Sequence, residues 1–363
     1  MMPTIVLGAG GTGGHMFPAL ATAHALETAG CRVIFFTDTR GQVFLDKEGA
    51  PFESMVLPSA QYAGSVFAKL KALFAITRGV FRCKTLLRQI KPSLVAGFGG
   101  YGSFAPVAAA KSLRIPTLLH QSDAIPGKVD SLLFSQVNGI TTTFPSSGKS
   151  IHTGLPLRPS FTFSPYVEVK DKLSILITGG SQGAKIFGDV VPEALSQLSP
   201  DLQSLIHVVH QVRPESLEAV RSAYEKTKVT FEIASFFDNM NDRYAKAQLF
   251  IGRSGASTIM ELARCGRPAI LVPYPFAAGN HQYYNAQQVV AVGGGWCVVQ
   301  DEFTPSFLAA KIEEFLRSPK QLSESAVKIR KISIEDAAGQ LANAILSHMN
   351  PQIERKMQQC NKG

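Results

Sequence analysis

TIVLGAGGTGGH, residues 4–15, runs an apolar strand through a glycine turn into the start of a helix. Gly8, Gly10 and Gly13 stand in the Gly-x-Gly-x-x-Gly spacing that brings main-chain N–H groups close to a pyrophosphate, and Asp38 follows at about the 20-residue interval of a ribose-binding acid. Alone, the stretch reads as an NAD site. The rest of the chain decides between that and a loop built for another phosphate.

Outward from this stretch the same texture repeats. Thr4–Leu7, Arg32–Phe36, Leu94–Ala96, Thr117–His120 and Gly139–Thr142 read as short buried strands. Helical stretches such as Met16–Ala29 and Ser103–Leu113 separate them. Alternation of this kind predicts an α/β fold with a parallel sheet covered on both faces. Near Leu155 the texture changes to LPLRPSFTFSP, three prolines in eleven residues, which reads as an interdomain linker. SILITGGSQGAK, residues 174–185, then restates the opening, and further strands are predicted at Leu205–His210, Val229–Ile233, Leu249–Ile251, Ala269–Val272 and Trp296–Val299. The expectation is two doubly wound, Rossmann-like domains. The first spans 1–160, completed by a helix near 335–350, and the second spans 161–334; 351–363 reads as a frayed tail. Ligands of such sheets lie beyond the strands' carboxyl ends, so the two domains are expected to share a cleft.

The length of 363 residues agrees with two domains of roughly 150 to 180 residues. The first apolar run stops at Gly8, and nowhere do on the order of 18 uncharged apolar residues follow one another, which predicts a chain neither secreted nor membrane-spanning. Five cysteines, odd in number and without a C-x-x-C pair, read as reduced core thiols. The net charge of +9 is localised: from Ser54 to Ser122 there is no Asp or Glu, while nine lysines and arginines fall inside. Its densest part, residues 65–91, interleaves those cations with Phe67, Leu70, Phe74, Phe81 and Leu87. That pattern suits a helix resting on anionic lipid, and equally a crossover helix with one core face and solvated lysines. No reader motif for nucleic acid accompanies the charge.

Three glycine turns follow strands, at 8–15, 97–103 and 179–184, and each lets N–H groups and a helix N-terminus approach an anion. A dehydrogenase does not need three. His15 follows Gly13-Gly14 in the first helical turn, where the helix N-terminus disfavours imidazolium and a neutral ring can accept a proton; a loop-packing histidine is the alternative. The densest polar cluster lies at 252–286. There Ser254 to Thr258 offer N–H and hydroxyl groups to phosphate, and Glu261 stands one to two turns along a helix, placed to accept from a ribose diol or to sit solvated. Asn280, His281 and Gln282 open a later helix with groups suited to sugar hydroxyls. Gly148–Ser150 is no P-loop, and His207 and His210 fall on opposite faces of a strand, so neither supplies a metal or nucleotide site. No D-x-D triplet occurs, and no metal or other cofactor is expected.

GTGGHMFPALA, GFGGYGSFAPVAAA, LLHQSD, TGLPLRP, ITGGSQGA, SFFDNM, RSGASTIMEL and HQYYNA, in this order and spacing, resemble the MurG family of peptidoglycan N-acetylglucosaminyltransferases, from Thr4 to at least Ala286. The resemblance implies a glycosyltransferase-B fold. It implies inverting, metal-independent transfer of GlcNAc from UDP-GlcNAc to the C4 hydroxyl of MurNAc in undecaprenyl-pyrophosphoryl-MurNAc-pentapeptide. By the same resemblance the donor contacts are Arg158, Ser181, Phe237, Ala256, Ser257, Thr258, Ile259, Met260, Glu261 and Gln282. The acceptor loops are Thr12, Gly13, Gly14, Gly99, Gly100, Tyr101 and Asp123, with His15 as the base. Segment 65–91 would meet the anionic cytoplasmic face of the inner membrane, leaving the protein peripheral. Asp123 departs from the family pattern, where an asparagine stands; near a pyrophosphate a carboxylate is repulsive unless protonated or bonded to a neighbour such as Lys128. The competing expectations are another UDP-sugar transferase of the same fold, an NAD-dependent oxidoreductase and a non-catalytic nucleotide-sugar binder.

Overall fold

The computed structural model describes residues 2–11, 13–58, 66–146, 148–180 and 183–349, without the side chains of 66–74, Tyr101, Lys128 and Val129. Two compact units result: Met1–Arg158 with the chain from Ile334 onward, and Pro159–Ser333.

The first unit holds a parallel sheet of seven strands: β1 (Thr4–Gly8), β2 (Arg32–Thr37), β3 (Glu53–Val56), β4 (Leu94–Gly97), β5 (Thr117–Gln121), β6 (Gly139–Thr142) and β7 (Ile151–His152). They are ordered β3-β2-β1-β4-β5-β6-β7. β1 and β4 are buried on both faces, as a parallel sheet between helical layers demands. Chain order reverses between them, which makes the space beyond their carboxyl ends the ligand crevice of the sheet. Gly8 pairs with Gly97, so the two glycine turns leave the sheet level with each other. The helix Val66–Ile90 connects β3 to β4, burying Cys83 and Leu87 in the core. The helix Ala337–His348 adds Leu341 and Ile345 to the core under β1.

The second unit repeats the plan with β8 (Leu173–Thr178), β9 (Ile206–Gln211), β10 (Thr230–Ala234), β11 (Leu249–Gly252), β12 (Ala269–Leu271) and β13 (Gly295–Cys297), ordered β10-β9-β8-β11-β12-β13. Its reversal lies between β8 and β11, where Thr178 pairs with Gly252. Arg267 is wholly buried. Its Nε donates to the Tyr244 carbonyl at 2.6 Å, and its terminal nitrogens donate to Cys265, Ala245, Ser164 and Pro165 carbonyls. A guanidinium removed from water has to be saturated with acceptors, and here it ties the proline-rich stretch to the helix Ala256–Cys265. Among the described residues no helix is long and apolar enough to cross a membrane.

Candidate active site

In the first unit the glycines at the β1/β4 reversal divide by role. A Cβ on Gly102 would stand 2.9 Å from the Gly10 main chain, and one on Gly10 would stand 3.2 Å from Asp38. These glycines let the two turns touch backbone to backbone. Gly11, Gly99 and Gly100 instead hold φ of +85°, +84° and +70°, which an L side chain resists. The following helices begin at Gly13 and Gly100, three residues before the expected Met16 and Ser103. Glycine's poor helix propensity matters least in a first turn, whose N–H groups have no intrahelical acceptor. The helix Gly100–Ser112 starts without a side-chain cap, at Gly99.

Asp38 is not presented to a ribose. It is buried, caps the helix Thr39–Lys47 by accepting the Gly41 N–H at 2.8 Å, and accepts the Gly11 N–H at 3.3 Å. The acid that suggested NAD is a clamp on the glycine loop, which removes the feature that completed the dinucleotide fingerprint.

His15 sits half-buried in the first turn of Gly13–Thr28, its ring against the second glycine turn. A Cβ on Gly100 would meet its Cε1 at 3.1 Å, and one on Gly99 its Nε2 at 3.4 Å. The imidazole occupies space that only glycine leaves open. Beneath it His120 is buried, with Nδ1 3.1 Å from Thr141 Oγ1 and Nε2 3.4 Å from Thr143 Oγ1. Burial, and then the nearby His15, hold His120 down to about 3, so it stays neutral and takes no proton. The Asp123 carbonyl accepts from Gln121 Nε2 at 2.9 Å, which fixes the loop after β5. Seven residues on, Asp130 in the helix Lys128–Phe134 was not anticipated: burial first and the Asp123 charge second raise its carboxyl to about 6. Arg158, expected on the donor, belongs to the first unit, with its guanidinium over the Phe17 ring at 4.3 Å. Gly13 leaves room for that same ring, a Cβ there standing 3.1 Å from it. Gly14 shares the first helical turn with His15, and Thr12, Ser181 and the Tyr101 side chain lie outside the described residues.

In the second unit, the turn after β8 uses Gly180 and Gly183 at φ of +80° and +67°, and the helix Lys185–Ser196 follows. Level with it, Gly255 opens the helix Ala256–Cys265. Ala256, Ile259 and Met260 are buried, so they offer a ligand their main chain alone, while Ser257, Thr258 and Glu261 keep partly exposed side chains. The expectation that the Ser254 hydroxyl faces phosphate fails. Ser254 is fully buried and donates to the Gln282 carbonyl at 2.7 Å, while Asn285 donates to the Ser254 carbonyl, fastening two helix starts together. Gln282 Oε1 accepts the Tyr274 N–H at 3.0 Å, which orients its amide. The Tyr244 hydroxyl donates to Glu261 Oε2 at 3.2 Å, and the Arg267 bond to the Tyr244 carbonyl fixes that tyrosine from behind. Phe237 is buried under the Arg243 guanidinium, 3.8 Å from the ring centroid. Among the described residues no group of three or more His, Cys, Asp or Glu is arranged to hold a metal ion.

Two doubly wound sheets, each with glycine turns and helix N-termini at its reversal, define a two-domain α/β protein of the kind that binds phosphorylated ligands. Known proteins narrow the class. Residues 5–142 match the glycosyltransferase family 28 N-terminal domain, and 174–341 match its C-terminal domain. The UDP-N-acetylglucosamine–N-acetylmuramyl-(pentapeptide) pyrophosphoryl-undecaprenol N-acetylglucosamine transferase of Rhodospirillum centenum is 40% identical over 359 residues, 95% of this chain and 94% of that protein. The Caulobacter vibrioides protein of the same description is 37% identical over 95% of this chain and 99% of its own length. The crystal structure of Acinetobacter baumannii MurG superposes with a TM-score of 0.81 at 29% identity, covering 95% of this chain and 99% of that one. The chain belongs to glycosyltransferase family 28 and, within it, to the MurG family of N-acetylglucosaminyltransferases.

Proposed function

We propose that this protein transfers GlcNAc from UDP-GlcNAc to the C4 hydroxyl of MurNAc in undecaprenyl-pyrophosphoryl-MurNAc-pentapeptide, a step of peptidoglycan synthesis. The observation that carries the reading is 40% identity along 95% of the chain to a transferase of that description. In the proposed step the hydroxyl oxygen attacks the anomeric carbon as the bond to UDP breaks. The configuration inverts in one displacement, and the hydroxyl proton passes to His15. The second unit holds the donor: Glu261 accepts from the ribose, main-chain N–H groups near Ser257 and Lys185 offset charge on the departing diphosphate, and Gln282 reads sugar hydroxyls. Phe237 borders the base, with Arg158 and Ser181 near the diphosphate. The first unit takes the acceptor on Thr12–Gly14, Gly99–Tyr101 and Asp123. No metal is required, because helix N-termini perform the neutralisation a cation supplies elsewhere.

The membrane reading draws support from the helix Val66–Ile90. Phe81 is 69% exposed between the exposed Arg78 and Arg82, an apolar ring set among cations as at a lipid interface. The protein would then act as a peripheral enzyme on the cytoplasmic face of the inner membrane.

The test is transfer of labelled GlcNAc from UDP-GlcNAc to a short-chain analogue of the lipid-linked muramyl pentapeptide, run in EDTA. Labelled disaccharide product supports donor, acceptor and metal independence together. UDP binding without product on this acceptor refutes the acceptor and leaves a UDP-sugar transferase of another specificity. His15→Ala should lower kcat with little change in donor KM, and wild-type kcat in that variant refutes the base.

A further inference from the structure

Asp130 takes no part in the step as described, yet its surroundings are unusual. Its Oδ1 is buried and, among the described residues, has no hydrogen-bond partner. Its Oδ2 lies 3.7 Å from the point where a Cβ on Gly99 would stand, and His15 Nε2 lies 3.4 Å from that same point. The carboxyl and the imidazole thus share the side of Gly99 that a side chain would otherwise fill. A buried carboxylate oxygen without a donor is destabilising at rest, and that penalty shrinks if a neighbour turns cationic. His15 turns cationic when it accepts a proton.

We propose that Asp130 is a positioning residue for His15, its carboxylate holding the imidazolium that forms as the attacking hydroxyl loses its proton. The inference rests on the reading of His15 as base. The ionisable groups around Asp130 divide by sign. His120 from β5 is held neutral by burial, and Asp123 from the following loop is a second acid that raises the Asp130 carboxyl. The helix Gly100–Ser112, packed against the helix of Asp130, carries Tyr101 at its start and Lys111 in its last turn. With the Asp130 carboxyl at about 6, the anion is the majority form at neutral pH and above. It then opposes the field of the helix N-terminus, which disfavours imidazolium at His15.

The experiment compares wild type, Asp130→Asn and His15→Ala in the transfer assay from pH 5 to 9, with thermal melting to confirm folding. Asp130→Asn keeps the shape and removes the charge. Its acid limb of kcat should move down by about one pH unit, since a nearby anion favours the protonated ring and its loss lowers the ring's affinity for a proton. Its plateau kcat should fall several-fold while the UDP-GlcNAc KM stays unchanged. A folded Asp130→Asn variant with a superimposable kcat profile overturns the proposal, as does one whose donor KM alone changes. Wild-type kcat in His15→Ala overturns the base assignment and the inference with it.

Discussion

Replacing Asp38 separates the two readings of the opening glycine turn, because a loop clamp and a ribose-binding acid fail in different ways. Asp38→Ala removes the cap on Gly41, which costs about 1 kcal/mol, and leaves the Gly11 N–H without its longer bond, which adds about 0.5–1 kcal/mol. The pair with Arg40 at 3.9 Å is mostly exposed on the arginine side and adds little. A total of ~2 kcal/mol corresponds to a fall of about 4–8 °C in the melting temperature of the first unit. Asp38→Asn retains a side-chain oxygen that caps as well as aspartate, so its loss should stay near 0.5 kcal/mol or below. The assay is calorimetry of both variants beside steady-state kinetics. Asp38→Ala should raise the acceptor KM several-fold, since Gly11 is released, while the UDP-GlcNAc KM stays put in both variants. The reasoning is refuted if Asp38→Asn melts as low as Asp38→Ala, or if both variants keep the wild-type melting temperature and lose nucleotide affinity.

Glu261→Ala should raise the donor KM roughly 10- to 100-fold, the effect of losing one charge-assisted bond worth about 1.5–3 kcal/mol; Tyr244→Phe leaves the carboxylate but not its 3.2 Å orienting bond and should raise it only a few-fold, and equal effects in the two would contradict that ordering. Acid should destabilise the fold between pH 6.5 and about 3. His120 and His210 are each held down to about 3 by burial and regain a normal affinity for protons on unfolding, so stability is full above 6.5 and declines below it. Each contributes a slope of about 1.4 kcal/mol per pH unit in that window, offset in part by Asp130, whose raised carboxyl acts in the opposite sense. Urea midpoints that do not fall between pH 6.5 and 4.5 would contradict this balance.

The sheets were legible because a parallel strand buried on both faces must be an unbroken apolar run, as in Ile5–Leu7 and Ile175–Ile177. β3 and β7 were not. Glu53–Val56 is half-exposed at the sheet edge and Ile151–His152 is two residues long, so neither leaves such a run. The glycine turns showed in the spacing, but the division of labour among their glycines did not, because close approach and positive φ leave the same letter in the sequence. Asp38 and Ser254 were misread for a related reason: a polar residue beside a phosphate-type loop can equally fasten that loop to its neighbours. Asp130 gave no signal, since its relation to His15 arises only when the loop after β5 folds back to Gly99.

These fastenings bear on how the proposed acceptor half-site works. Gly102 lies on Gly10 with no room for a methyl group between them, and Asp38 holds Gly11 from the other side. The two turns of the first unit therefore cannot move independently; displacing one carries the other, along with the His15 ring lodged against Gly99 and Gly100. If His15 is the base, as proposed, a ring held this way needs no rearrangement when substrate arrives. Its geometry is set by backbone contacts formed on folding, and what remains adjustable is its charge. Asp130 stands where it can adjust that charge, and its effect on His15 would follow the protonation of one buried carboxyl while the loop itself stays in place.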